Sequence, residues 1–314
     1  MVKKLVLLSL LVVFSILPSV AKAAVLYLEP PSDYYHPGDT FIVEAKIDVE
    51  GECINLVGVD LNFSQDILEV VDFSQGSSIL TFWIKSPTID QKSELISFTG
   101  GVPGGYCGRL PGDPGESNLL SKIIFKVQET TQIGTQINTK IEFLDTSQVL
   151  LNDGLGTPAK LITKEAIFTI LPEKLEVPRD EWRGELEKDK IPPEPFIIEI
   201  NQDPAIFEGK YFIIFSTTDK QTGIDHYEVK EGEKDWKMGE SPYLLEDQNL
   251  QSIIKVKAVD KAENERIAEY LPPSAKKLKP FSYWTIFTIL VSVAIIVWII
   301  NRFVKKEHRK IQKT

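Results

Sequence analysis

Nucleophilic chemistry in this chain would have to start at Gly115-Glu116-Ser117-Asn118-Leu119 or at one of the histidines His36 and His226. A serine elbow needs a second glycine after the nucleophile and a histidine beside it. Leu119 occupies that glycine position, and His36 and His226, the two of the three histidines outside the C-terminal tail, fall in different predicted domains, so a Ser-His or Cys-His hydrolase is not expected. The Gly- and Pro-rich run Thr99–Ser117 lacks a Lys-Ser/Thr pair and a following helical pattern, which argues against a phosphate cradle. Within it, Asp113 and Glu116 are weak candidates for sharing a Ca²⁺ with backbone oxygens; the alternative is two solvated carboxylates, and neither a metal nor a cofactor is expected. Paired carboxylates for glycoside hydrolysis cannot be picked from so many acidic residues without geometry. Tyr34, Tyr35, Trp83 and Tyr106 are candidates for stacking on the flat faces of sugars, with partial burial at a sandwich edge as the alternative. Asn62-Phe63-Ser64 is a glycosylation sequon at a strand end.

Such residues act only where the chain places them, and both ends of the sequence speak to location. Lys3 and Lys4, an apolar run and Ala21-Lys22-Ala23 form a secretory signal over residues 1–23. A second apolar run, 283–303, carries no charge before Arg302 and has Tyr283, Trp284, Trp298 and Phe303 near its ends. It is long enough to cross a bilayer as one helix. From its end onward the chain holds Arg302, Lys305, Lys306, Arg309, Lys310 and Lys313 against Glu307. Positive-inside bias therefore predicts a single-pass protein of the cytoplasmic membrane, its N-terminal domains extracytoplasmic, 274–282 juxtamembrane and 304–314 a basic cytoplasmic tail. Without those basic ends the remainder is more acidic than the formal −10 of the whole chain, a surface that repels nucleic acid. The only cysteines, Cys53 and Cys107, both lie in the exported part. An oxidising compartment predicts one disulfide, worth about 4 kcal/mol by chain entropy, over the alternative of two buried thiols. The tether would hold Tyr106 and Arg109 beside it as a candidate recognition surface.

The elements that must position these residues alternate with period two. Phe41, Val43, Ala45, Ile47 and Val49 share one strand face, as do Val57, Val59, Leu61 and Phe63. Ile123, Phe125 and Val127, then Ile141 and Phe143, then Ala166, Phe168 and Ile170 repeat the pattern. With no helical period between Ala24 and Leu171, the fold class is all-β, an antiparallel sandwich.

Pro37-Gly38-Asp39, Ser64-Gln65-Asp66 followed by Leu68-Glu69-Val70-Val71 and Gly76, Ile124-Phe125-Lys126-Val127, and Asn152-Asp153-Gly154 occur in that order. In this order they resemble the cohesin domain over residues 24–172. The resemblance implies a jelly-roll sandwich and non-catalytic protein–protein attachment, with a dockerin-like Ca²⁺-binding partner and a link to extracellular polysaccharide degradation. Contact residues are not carried by these turn and core positions, and Phe63-Ser64 replaces the family's Tyr-Asp. Residues 173–194, rich in charge and Pro, read as an exposed linker whose Trp182 packs on a neighbouring domain. Alternation resumes over 195–273 as a smaller sandwich. Its Val256-Lys257-Ala258-Val259-Asp260-Lys261-Ala262-Glu263-Asn264 is similar to bacterial Ig-like and fibronectin III-like modules, with Glu263 where a glycine is usual. Three functions follow: a membrane-anchored surface module that binds a protein, one that binds polysaccharide, or a structural envelope protein that meets its own copies.

Overall fold

The computed structural model describes residues 23–108, 110, 118–129, 134–272, 287–299 and 302. The expected signal up to residue 22, Arg109, Asp113, Glu116 and the tail 304–314 lie outside these residues. The chain forms two compact units, Met1–Gln248 with Ile254–Tyr270, and Asn249–Ile253 with Leu271–Thr314.

The first unit opens with a twelve-strand sandwich: β1 Ala24–Glu29, β2 Ser32–Tyr35, β3 Thr40–Asp48, β4 Ile54–Asn62, β5 Leu68–Ser74, β6 Phe82–Asp90, β7 Leu95–Tyr106, β8 Leu119–Val127, β9 Ile137–Phe143, β10 Gln148–Leu151, β11 Leu161–Lys164 and β12 Ala166–Ile170. One sheet runs β11-β1-β3-β8-β5 and the other β2-β12-β9-β4-β7-β6, with β10 also on β4. The predicted inward faces are correct: Phe41, Val43, Ala45, Ile47, Val57, Leu61, Ile123, Phe125, Ile141, Phe168 and Ile170 are fully buried. At the centre Phe41 stacks on Tyr35 at 4.0 Å and meets Phe168 at 5.1 Å and Phe125 at 5.8 Å.

The sandwich is not purely antiparallel. β1 pairs with β11, and β2 with β12, in parallel. The chain changes sheets at Pro30-Pro31, between β1 and β2, and again at Glu165, between β11 and β12. Pro cannot donate to a ladder, so a break between two sheets suits it. The two terminal segments thus cross from one layer to the other together.

Residues 173–194 are not an exposed stalk. Asp180 caps a helix, α1 (Glu181–Lys188), by accepting the Arg183 N–H, and Trp182 is buried. Asp39 fastens the approach to this helix: its Oδ2 accepts the His36 N–H at 2.9 Å, and its Oδ1 the Arg179 N–H at 2.7 Å. The Asp of the Pro-Gly-Asp turn therefore holds a segment 140 residues away as well as its own turn.

The smaller sandwich pairs a sheet of β13 (Glu199–Asp203), β14 (Ile206–Ile214) and β17 (Tyr243–Leu244) with one of β16 (Lys237–Met238), β15 (Ile224–Glu231), β18 (Ile254–Asp260) and β19 (Glu265–Tyr270). Phe212, Ile213, Phe215, Val229, Val256 and Ala258 are buried in it. In the β18–β19 turn Glu263 takes φ 66°, the left-handed region, while Asp260 Oδ1 accepts the Ala262 and Asn264 N–H groups. Left-handed backbone disfavours side chains with a Cβ. Glu263→Gly is accordingly expected to raise stability by about 0.5–1 kcal/mol in urea unfolding; a loss of stability would show that the turn needs the glutamate.

In the second unit residues 287–299 are helical. They are the described centre of the expected span 283–303, and no helix among the described residues is long and apolar enough to cross a membrane.

Candidate functional site

The disulfide forms, Cys53 to Cys107, at the joined ends of β4 and β7. Along most of this ladder Leu56 faces Gly101, but after an irregularity Ile54 faces Tyr106. The extra residues on β7 form a bulge containing Gly104 and Gly105 at φ 88° and 85°, a conformation that favours glycine. The first half of the Gly- and Pro-rich run Thr99–Ser117 is therefore strand, and its bulge brings the two cysteines opposite each other.

The aromatic platform does not exist. Tyr35 and Tyr106 are core residues, each 1% exposed. Tyr106 is thus no recognition residue, and burial pushes the Tyr35 hydroxyl well above the usual tyrosine range, with the Glu181 and Asp33 charges adding to it. Trp83 is half-buried, 5.8 Å from Phe98 and 6.2 Å from Phe73. Tyr34 is exposed on β2, in a different strand. Strand alternation is the cause: neighbouring Tyr34 and Tyr35 point to opposite faces. Of the histidines, His36 sits 3.5 Å from Asp39 and His226 2.6 Å from Asp225.

The two outer faces of the large sandwich differ. Across the five-stranded sheet lies α1: Glu181 Oε2 accepts the Ile42 N–H at 3.0 Å, Lys122 pairs with Glu185 at 3.3 Å, and Trp182 Nε1 donates to Asp72 Oδ2 at 3.1 Å. Ile124, outside the central core cluster, is fully buried as well. The outer face of β4, β7 and β6 has no such cover among the described elements. Its rows, read across the register, are Leu56-Gly101-Phe82, Gly58-Thr99-Lys85 and Asp60-Ser97-Thr88. Lys85 Nζ donates to Ser97 Oγ at 2.6 Å, and Ser97 Oγ donates in turn to Asp60. Phe82 and Ile84 are 61% and 56% exposed on β6, the sheet's outermost strand. Sequence reasoning missed this face because β6 does not alternate cleanly: two irregularities interrupt its pairing with β7.

The two sandwiches meet at the end of β5. Ser74 Oγ donates to Thr222 O at 2.6 Å, Ser77 N donates to Asp219 O at 3.3 Å, and Lys261 Nζ reaches Asp72 Oδ1 at 2.6 Å. A Cβ on Gly76 would lie 2.1 Å from Gln221 O, so only glycine fits this backbone-to-backbone approach. Beside it is a cavity of about 460 Å³ lined by Trp83, Leu80, Tyr227 and Lys261 among others. The buried carboxylates of Asp189, Asp219 and Asp260 converge at the same junction, with one oxygen from each within 4.8 Å of the others.

The first unit thus holds a pair of β-sandwiches, one open-faced, joined by a buried polar junction. No protein-family model matches the sequence, and no curated protein matches it. Solved structures similar to the chain are cohesin modules and cover about half of it. One, from Clostridium thermocellum in a type I cohesin–dockerin complex, is 16% identical over 48% of this chain and 94% of that one, with a TM-score of 0.38. A Clostridium acetobutylicum cohesin is 14% identical over 49% and 94%, with a TM-score of 0.38. A cohesin module of a Clostridium perfringens family 33 glycoside hydrolase is 10% identical over 49% and 98%, with a TM-score of 0.36.

Proposed function

We propose that the large sandwich is a non-catalytic, cohesin-like attachment module that captures a folded, dockerin-like protein on the outer face of β4, β7 and β6. The observation that carries this reading is the asymmetry of the two outer faces: one is covered by α1, while the other presents Phe82 beside the Lys85-Ser97-Asp60 chain, with Ile84 exposed on the same strand. Exposed apolar anchors flanking fixed polar groups are what a protein interface requires. The dockerin type of partner comes from the sequence motifs. The apolar run 283–303 and the basic residues after it support display outside the membrane on one helix; the smaller sandwich then serves as an Ig-like spacer.

Full-length protein immobilised and exposed to secreted proteins of the same source, with and without Ca²⁺, is expected to retain a defined partner. Phe82→Asp or Ile84→Asp should weaken that capture at least about tenfold, whereas Tyr34→Ala, on another strand, should not. Retention unaffected by both β6 substitutions would remove this face from consideration. Retardation by soluble polysaccharides in affinity gels, lost in Trp83→Ala, would establish sugar binding in its place.

A further inference from the structure

We propose that Asp189, Asp219 and Asp260 bind a Ca²⁺ ion that locks α1 to the smaller sandwich. Asp189 closes α1, its N–H donating to Glu185 O at 3.1 Å; Asp219 lies in the loop before β15; Asp260 ends β18. They are 1%, 3% and 1% exposed. Two ligands of one Ca²⁺ can be no further apart than twice the Ca–O length, about 4.6–5.2 Å, and one oxygen from each carboxylate lies within 4.8 Å of the others.

Each carboxylate is aimed by its own loop. Asp189 Oδ1 accepts from Ile191 N at 3.0 Å, Asp219 Oδ1 from Gln221 N at 2.8 Å and Gly223 N at 2.9 Å, and Asp260 Oδ1 from Ala262 N and Asn264 N. Asp189 Oδ2 takes the Thr222 hydroxyl at 2.6 Å and Asp260 Oδ2 the Asn264 amide at 2.9 Å. Asp219 Oδ2 is buried with no hydrogen-bond partner at all. An unpartnered, buried carboxylate oxygen beside two more carboxylates is costly unless a cation compensates it. Lysine does not: Lys261, next to Asp260 in sequence, spends its ammonium on Asp72 at 2.6 Å and faces Asp225 at 3.9 Å. Among the described residues no ion pair involves the three aspartates. Burial, and then the charges of Asp189 and Asp219, push the Asp260 carboxyl above its ordinary range. All three donors are hard oxygens, with neither histidine nor cysteine in the cluster, which selects against softer metals. Mg²⁺ needs near-ideal octahedral geometry and keeps its waters, whereas Ca²⁺ accepts irregular, protein-rich shells.

The ion would join elements of different origin. Asp189 belongs to the helix docked on the large sandwich, Asp219 and Asp260 to the smaller one, and the same loop supplies Thr222 O to Ser74. Calcium titration of EDTA-stripped full-length protein by calorimetry, with melts in EDTA, 5 mM CaCl₂ or 5 mM MgCl₂ (about fifty times the expected dissociation constant for Ca²⁺), is the test. The expected result is one Ca²⁺ per chain, a dissociation constant of about 0.1 mM, and a rise of about 5 °C in Tm with Ca²⁺ but less with Mg²⁺. Asp219→Asn, and separately Asp260→Asn, should weaken Ca²⁺ binding at least tenfold yet melt in EDTA no lower than the parent, because each removes one of three repelling charges. That EDTA melt separates a lost ligand from a damaged fold. The proposal is overturned by the absence of saturable binding up to 5 mM, or by Ca²⁺ binding and a Tm rise that persist in both variants.

Discussion

Cys107→Ser is expected to lower the unfolding free energy by about 4 kcal/mol, the chain-entropy value for a cross-link spanning about 50 residues, the cysteines being 54 residues apart. Cys53 is exposed and Cys107 half-buried, so the serine opens no core cavity and the loss reflects the missing tether. Its local consequence is fraying of the β4–β7 end, where Ile54 faces Tyr106 beyond a bulge whose two left-handed glycines favour the unfolded chain. Urea unfolding monitored by fluorescence gives the magnitude, and wild-type protein in reductant should unfold at the variant's midpoint. Two reactive thiols per chain in unfolded, unreduced wild-type protein would overturn the cross-link itself.

Trp182→Ala is expected to cost about 3–5 kcal/mol where the helix remains docked, or the whole docking energy of α1 where it comes away. Trp182 is 7% exposed, and its indole N–H holds Asp72, whose other oxygen takes Lys261 from the smaller sandwich. The Asp72 carboxylate therefore joins the helix, β5 and the β18–β19 turn, and the indole holds one of its oxygens. Hydrogen exchange should show loss of protection over Glu181–Lys188 and in the Asp219–Gly223 loop, with the β3–β8 ladder still protected. Unchanged exchange in α1 would mean that the Glu181 and Glu185 contacts hold the helix without the indole.

Apolar residues at every second position leave one way to bury a strand, and that is why the inward faces of β3, β4, β8, β9 and β12 were legible from sequence. The disulfide was legible too, from two cysteines alone. Tyr106, a candidate for recognition by sequence, is a core residue because the bulge among the Gly and Pro residues around it continues the strand and turns the ring inward. The helix α1 is eight residues long, with four Glu or Lys among them, and shows no apolar stripe; it exists by virtue of its Asp180 cap and Trp182 docking.

By itself the sequence determined the all-β class, the order of the two sandwiches, the cysteine pair and an apolar span, since each depends on periodicity or composition within a short window. Tertiary structure alone decided which outer face is covered, that Gly76 must be glycine, and that Asp189, Asp219 and Asp260 meet. Each of those aspartates reads locally as an ordinary turn or capping residue, bonded to N–H groups two to four positions on. Their convergence is fixed only when a helix packed on one sandwich is brought against two loops of the other, a relation between positions 189, 219 and 260 that no local spacing encodes.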